Sequence, residues 1–324
     1  MTTSEPTLED AIAELRDEQG NLSKEMLSLF SDIFPHQLSA LQKEWDNIST
    51  ARRQEFVSSL KREHEVDTLL NFDRLARFLL GDEDSFVRAS AIRLLIENED
   101  NDMIPVYLDI AQNDSEIEPR AEAITALGEF ILRGEMDEIA EIRLYKIEDV
   151  LIRLINSAEK TELRQRALEA LGHSSRREVP TLIREAWERD LPMWKASAVF
   201  AMGRSCDQNW RDEVLQGLLD ENDLVRLAAA KAAGELELGD ARPIMLKMLE
   251  DERDEDVFRA LIWSLSQIGG EDVREYMLSL LDQYEDDEET AIEYMEEALA
   301  NLDFTEDLQD FDFLSYDEDD PLAE

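Results

Sequence analysis

Val225–Gly234 reads VRLAAAKAAG. Counted from Arg226, positions +3, +4 and +7 are Ala229, Ala230 and Ala233. Those offsets fall on one stripe of a 3.6-residue helix. Gly234 follows at +8, where glycine permits close packing or helps to end the helix.

The same pattern recurs without internal gaps at Val87–Ile96 (VRASAIRLLI), Pro119–Gly128 (PRAEAITALG), Leu163–Gly172 (LRQRALEALG) and Trp194–Gly203 (WKASAVFAMG). Val257–Ser266 (VFRALIWSLS) fits with Phe258 at the anchor. The anchors Arg88, Arg120, Arg164, Lys195, Arg226 and Phe258 are spaced 32, 44, 31, 31 and 32 residues apart. The long interval marks an insertion of roughly 12 residues around Gly134–Lys146, and a degenerate seventh unit follows at Glu289–Leu302. Between these segments lie shorter apolar stretches: Ile104–Gln112, Ile147–Asn156, Val179–Glu188, Trp210–Leu219, Ala241–Glu250 and Asp272–Asp282. Pro105, Pro180 and Pro243 stand near their starts, where a missing N–H costs little. Each unit therefore reads as helix A, turn, helix B. One such pair cannot bury both faces, so neighbours must stack. The expected fold is all-α, an α-solenoid of six to seven pairs.

These residues resemble the short HEAT-like repeats of phycobilisome-lyase-related bacterial proteins. The carrying signature is Asp, five residues, Arg, then a helix rich in small residues, as in Asp82–Arg88, Asp114–Arg120 and Asp220–Arg226. The resemblance implies an ion-pair ladder between adjacent repeats. The third, fourth and sixth units carry Ala158, Arg189 and Glu252 in place of Asp, so the ladder is not expected to be continuous. The resemblance covers roughly residues 72–302 and speaks to fold more than to activity.

Three regions follow: a helical cap over 1–71, the repeats over 72–302, and an acidic, aromatic, mobile tail over 303–324. In the cap, Leu8–Asp17, Lys24–Asp32, Gln37–Ile48 and Thr50–Glu63 read as helices. Phe34–Leu70 is expected to shield the first repeat. Met1–Gly20 reads either as a peripheral helix or as a mobile segment. In the tail, DFTEDLQDFDFLSYDEDD mixes acids with Phe311, Phe313 and Tyr316. That composition reads either as a solubilising extension or as a binding motif or self-inhibiting strap.

The chain has 324 residues, 78 acids and 33 Lys and Arg, a net charge of −45. Such an excess disfavours nucleic-acid phosphates and anionic membrane surfaces and suits a basic protein or peptide. The last 50 residues hold 20 acids and no base. One cysteine, Cys206, excludes an internal disulfide, and with three histidines no metal centre or other cofactor is expected. Met1–Asp10 has neither bases nor an apolar core, so no secretory signal is expected and the predicted compartment is the cytoplasm.

Enzyme signatures are sparse. Gly269–Gly270 lies between two helices and reads as a turn, not a phosphate loop, and G-x-S-x-G is absent. Cys206 reads as an incidental thiol. Iron-dependent HEAT enzymes that hydroxylate deoxyhypusine use repeated His-Glu pairs, and this chain has one, His64–Glu65. The acid cluster Glu285–Glu289 lacks the ligand spacing of an EF-hand loop. The expected function is a non-enzymatic scaffold that holds a protein or peptide in a concave groove lined by B helices. The alternative implied by the resemblance is an enzyme subunit or accessory chaperone of the bilin-lyase type. Helix B positions off the apolar stripe supply the candidate binding residues: Phe200, Trp263, Arg204, Lys231, Arg166 and Arg93. Aromatic and Arg side chains are typical interface anchors. The competing reading packs both rings against neighbouring repeats.

Overall fold

The computed structural model describes residues 6–96, 98–189, 191–283 and 289–315. Every regular element among them is helical. In chain order these are α1 (Leu8–Arg16), α2 (Lys24–Ser28), α3 (Pro35–Trp45), α4 (Thr50–Val66), α5 (Asp73–Leu79), α6 (Ser85–Leu94), α7 (Met103–Asn113), α8 (Ile117–Glu135) and α9 (Glu141–Ile155). They continue as α10 (Thr161–Ala170), α11 (Val179–Trp187), α12 (Pro192–Arg204), α13 (Arg211–Leu218), α14 (Asp223–Glu235), α15 (Arg242–Met248), α16 (Glu255–Ile268), α17 (Glu271–Leu281) and α18 (Glu289–Ser315). The chain divides into two compact units, residues 1–167 and 168–324, and the division falls within α10.

The repeat dictates where B helices start. Four residues before the anchor, Asp84, Asn222 and Asp254 accept a backbone N–H of the first helical turn. Each thereby satisfies a donor that has no partner inside the helix. Six residues before the anchor, Asp82, Asp114 and Asp220 accept the N–H two residues on and so shape the A–B turn. Beyond the cap, the +3, +4 and +7 side chains turn inward. Ala91, Ile92 and Leu95 are buried in the first unit, and Ala198, Val199, Met202, Leu261, Ile262 and Leu265 in the second. Full burial of each large aliphatic side chain contributes about 1.5–3 kcal/mol. In the first unit α6 packs between α4 and α8, with α5 and α7 as the A helices. In the second unit α12, α14, α16 and α18 follow one another as B helices, backed by α11, α13, α15 and α17.

The +8 glycines have a steric reason. A methyl group on Gly203 would lie 2.8 Å from Ala232 Cα, and one on Gly234 would lie 2.8 Å from Ser264 Cβ. Adjacent B helices thus touch backbone to backbone. Alanine is favoured over glycine inside a helix by about 1 kcal/mol. Overpacking a close contact costs about 1–3 kcal/mol. Because the contact at Gly203 is with backbone, the second effect should win. Gly203→Ala is expected to lower the urea unfolding midpoint, and a raised midpoint would show that the helices can move apart freely.

The ladder is more complete than the sequence signature suggests. Arg88 holds Asp114 through two hydrogen bonds of 2.7 and 2.8 Å. Arg120 holds Glu159 at 2.9 and 3.2 Å, and Arg226 holds Glu252 at 2.8 and 3.0 Å. Lys195 reaches Asp220 at 3.5 Å. Where Asp is missing, an acid one residue later (Glu159) or one methylene longer (Glu252) takes its place, which corrects the expected interruption at the third and sixth units. The anchors also satisfy main-chain carbonyls: Arg120 and Arg164 donate to Ala111 and Ile155 in the last turns of α7 and α9. Burial pulls the Asp114 carboxyl upward, yet Arg88 and the Glu116 N–H together hold it below the ordinary range. Arg120 does the same for Glu159, and Arg226 for Glu252.

The N-terminal helices form a further repeat. In α4, Arg53 stands at the anchor, and Phe56, Val57 and Leu60 at +3, +4 and +7 are all buried. Ser49 caps the helix four residues before Arg53, and Arg53 reaches Asp82 as the other anchors reach their acids. Helix α4 therefore covers α6 as one more B helix, with α3 joined to it through Trp45, whose ring meets Phe56 edge-on. The first helix is tied down: Ala11, Ile12 and Leu15 are buried, and Arg52 donates to the carbonyls of Glu14, Leu15 and Gly20.

The insertion is helical on both sides of a short turn at 136–140. It lengthens α8 to 19 residues and α9 to 15, with Leu144 packed against Gly134. It also leaves Met136, Ile142 and Tyr145 exposed. At the other end no break marks position 302, since α18 runs on to Ser315. Arg274 ties that extension down through ion pairs to Asp303 and Glu306. The side chains of Phe311, Phe313 and Leu314, and the whole of Tyr316, lie outside the described residues. Gly269 and Gly270 have φ of 78° and 125°, a turn between α16 and α17 that suits glycine alone.

Candidate functional site

In the second unit the +5 positions of α12, α14 and α16 place Phe200, Lys231 and Trp263 on successive B helices. The neighbouring +4 and +7 side chains are core, so +5 points away from it. Phe200 is half-buried and Lys231 exposed, and Trp263 retains 38% of its surface. Arg204, one turn after Phe200, lays its guanidinium 4.7 Å from the Phe200 ring centre. The sequence grouping thus resolves into two pairs, Phe200 with Arg204 and Lys231 with Trp263.

Between α14, α16 and α18 opens a cavity of about 400 Å³. Leu227, Lys231, Asp256, Arg259, Ala260, Trp263, Ser264 and Tyr294 line it. The Tyr294 hydroxyl donates to the Arg259 carbonyl at 2.7 Å, and the Arg259 guanidinium sits 5.7 Å from the Tyr294 ring centre. Arg259 is also paired with Glu255 at 2.6 Å. Tyr294 was not legible as a site residue, because the seventh unit is too degenerate to fix its register, and Arg259, at +1 of the sixth unit, lay outside the positions considered.

Glu235, at +9 of α14, lies over Gly203. Surrounding protein raises its carboxyl above the ordinary range, against the pull of Arg204 and Lys231. Its side chain nonetheless reaches water.

The two remaining candidates belong to the first unit. Arg93 spans adjacent repeats, paired with Glu118 at 3.0 Å and Glu122 at 2.7 Å. Arg166 is exposed on α10. Cys206 is exposed just after α12 with a φ of 51°. His64 contacts the Leu70 carbonyl through Nδ1 at 3.0 Å. No cluster of His, Cys, Asp and Glu suited to a metal ion occurs among the described residues. No described helix is long and apolar enough to cross a membrane.

Stacked A–B pairs joined by anchor ion pairs define the class, a helical repeat array. The family model for HEAT repeats matches residues 179–262 and 211–296, so the second unit carries HEAT-like repeats. Among curated proteins the sequence finds no match. Solved structures of similar fold include YibA from E. coli, 18% identical with a TM-score of 0.41 over 74% of this chain and 95% of that one. The complex of CpcE and CpcF of phycocyanin lyase from Nostoc sp. PCC7120 is 15% identical, with a TM-score of 0.48 over 72% and 94%. Human deoxyhypusine hydroxylase is 15% identical, with a TM-score of 0.37 over 92% and 96%.

Proposed function

We propose that this chain is a non-enzymatic interaction scaffold that holds a protein or peptide along the B-helix ridge of its second unit. The observation that carries the reading is Trp263. It is a large aromatic on a repeat position that points out of the core, beside Lys231 and above an open cavity. Exposed aromatics next to cations are the usual anchors of a binding surface. The net charge of −45 favours a basic partner and disfavours nucleic acid.

The test is affinity capture from native lysate with wild type and with the double variant Phe200→Ala/Trp263→Ala. Capture should be lost while the melting temperature stays within a few degrees of wild type. A collapse of stability would mean that the rings are packing elements. A pigment or metal copurifying in stoichiometric amount would overturn the non-enzymatic part of the proposal.

A further inference from the structure

We propose that the cavity between α14, α16 and α18 accepts one aromatic side chain of a basic peptide segment. The inference rests on the ridge reading and names the chemistry of its partner. Trp263, Tyr294, Leu227 and Ala260 supply apolar lining, with Lys231 among the charged residues. Three other tryptophans, Trp45, Trp194 and Trp210, are less than 5% exposed, which sets the 38% of Trp263 apart.

The charges at the walls largely cancel. Arg259 is engaged by Glu255 and by the Tyr294 ring. Lys231 faces the field of Glu235, and Asp256 completes the lining. A charged side chain entering the cavity would lose water and meet both signs together, Lys231 and Arg259 with Asp256, so neither sign gains a clear counter-charge. An aromatic ring loses little and gains ring–ring contact with Trp263 and Tyr294. It also meets the Lys231 ammonium, which attracts ring faces.

On the α18 side of the cavity the sign is uniform. Helix α18 carries no base, and Glu293 and Glu297 flank Tyr294 in exposed positions. Residues on either side of the ring would run along these acids, so Lys and Arg are favoured there.

The experiment uses the full chain and labelled synthetic peptides followed by fluorescence anisotropy. The probe is a short Lys- and Arg-rich peptide with one central Phe. The comparators replace that Phe with Ala, or every base with Glu. The Phe→Ala probe and the Trp263→Ala variant should each weaken binding by about tenfold. Combined, they should weaken it little further. Added salt should weaken all basic probes alike and leave the tenfold ratio intact. Equal binding of the Phe and Ala probes to wild type needs no variant and would overturn the proposal, leaving diffuse charge attraction only. Equal or tighter binding of the Glu probe would overturn it too. If Trp263→Ala melts early, Trp263→Phe replaces it and should retain most of the affinity. Failed peptide discrimination with lysate capture still dependent on Phe200 and Trp263 would reject the pocket and spare the ridge. Failure of both would reject the scaffold reading itself.

Discussion

Leu171→Asp is expected to destabilise the second unit by about 4–5 kcal/mol. Leu171 has no exposed surface and sits in the short 3-10 turn Leu171–His173 that ends the third B helix. That turn packs against α12, and Gly172 beside it comes within 3.1 Å of Ala201 Cα as a hypothetical alanine. The site therefore has little room to relax. Removing the isobutyl group leaves a cavity, and the carboxylate that replaces it finds no cation inside. Leu308 is half-exposed on α18 and serves as the control. Leu308→Asp should change stability by no more than about 0.5 kcal/mol. Urea titration by far-UV circular dichroism measures both. A Leu171→Asp protein with a near wild-type midpoint would mean that the repeat register is wrong.

That register was legible because it is periodic. The buried stripe at +3, +4 and +7 and the proline-marked A helices lie where the spacing places them, within one or two residues for α7 and α11. What depends on side-chain reach was less legible. Glu159 completes a ladder rung that the Asp criterion assigned to Ala158, because one residue of displacement is within the span of a Glu side chain. The α3–α4 pair escaped recognition as a repeat for a similar reason. Its anchor Arg53 precedes Arg88 by 35 residues instead of 31–32, and Lys61 stands where four other units have glycine. The insertion became helix because apolar side chains such as Leu144 find a partner in Gly134. At the ridge, periodicity singled out Phe200 and Trp263 as side chains off the core stripe. It could not bring Tyr294 to the cavity that Trp263 lines, since that juxtaposition arises where two repeats meet.

Asp82→Ala should cost about 3–5 kcal/mol, far more than a surface ion pair. The Asp82 side chain is 1% exposed and its partner Arg53 is 6% exposed. One carboxylate oxygen accepts from Arg53 at 2.8 Å and from the Trp45 indole N–H at 2.6 Å. The other accepts the backbone N–H of Asp84 at 2.8 Å and so holds the turn before α6. Burial works against the Arg53 charge, but Glu83 and Asp82 together raise its pKa above the ordinary value. Without Asp82 the guanidinium keeps the neutral Thr50 hydroxyl and Glu83, whose side chain is 79% exposed. The indole and one main-chain N–H lose their acceptor as well, and each buried orphan costs about 1–3 kcal/mol. The double variant Asp82→Ala/Arg53→Met separates these contributions. It removes the stranded charge and fills the space with an apolar chain, so it should recover a large part of the loss. Thermal and urea unfolding of wild type, both single variants and the double variant close the cycle. A single-variant cost near 1 kcal/mol, or no recovery in the double variant, would mean that Arg53–Asp82 is not what fastens α4 to the first repeat. The cap would then be held by Phe56, Val57 and Leu60, with the Gln54–Asp84 hydrogen bonds and the Trp45–Phe78 ring contact.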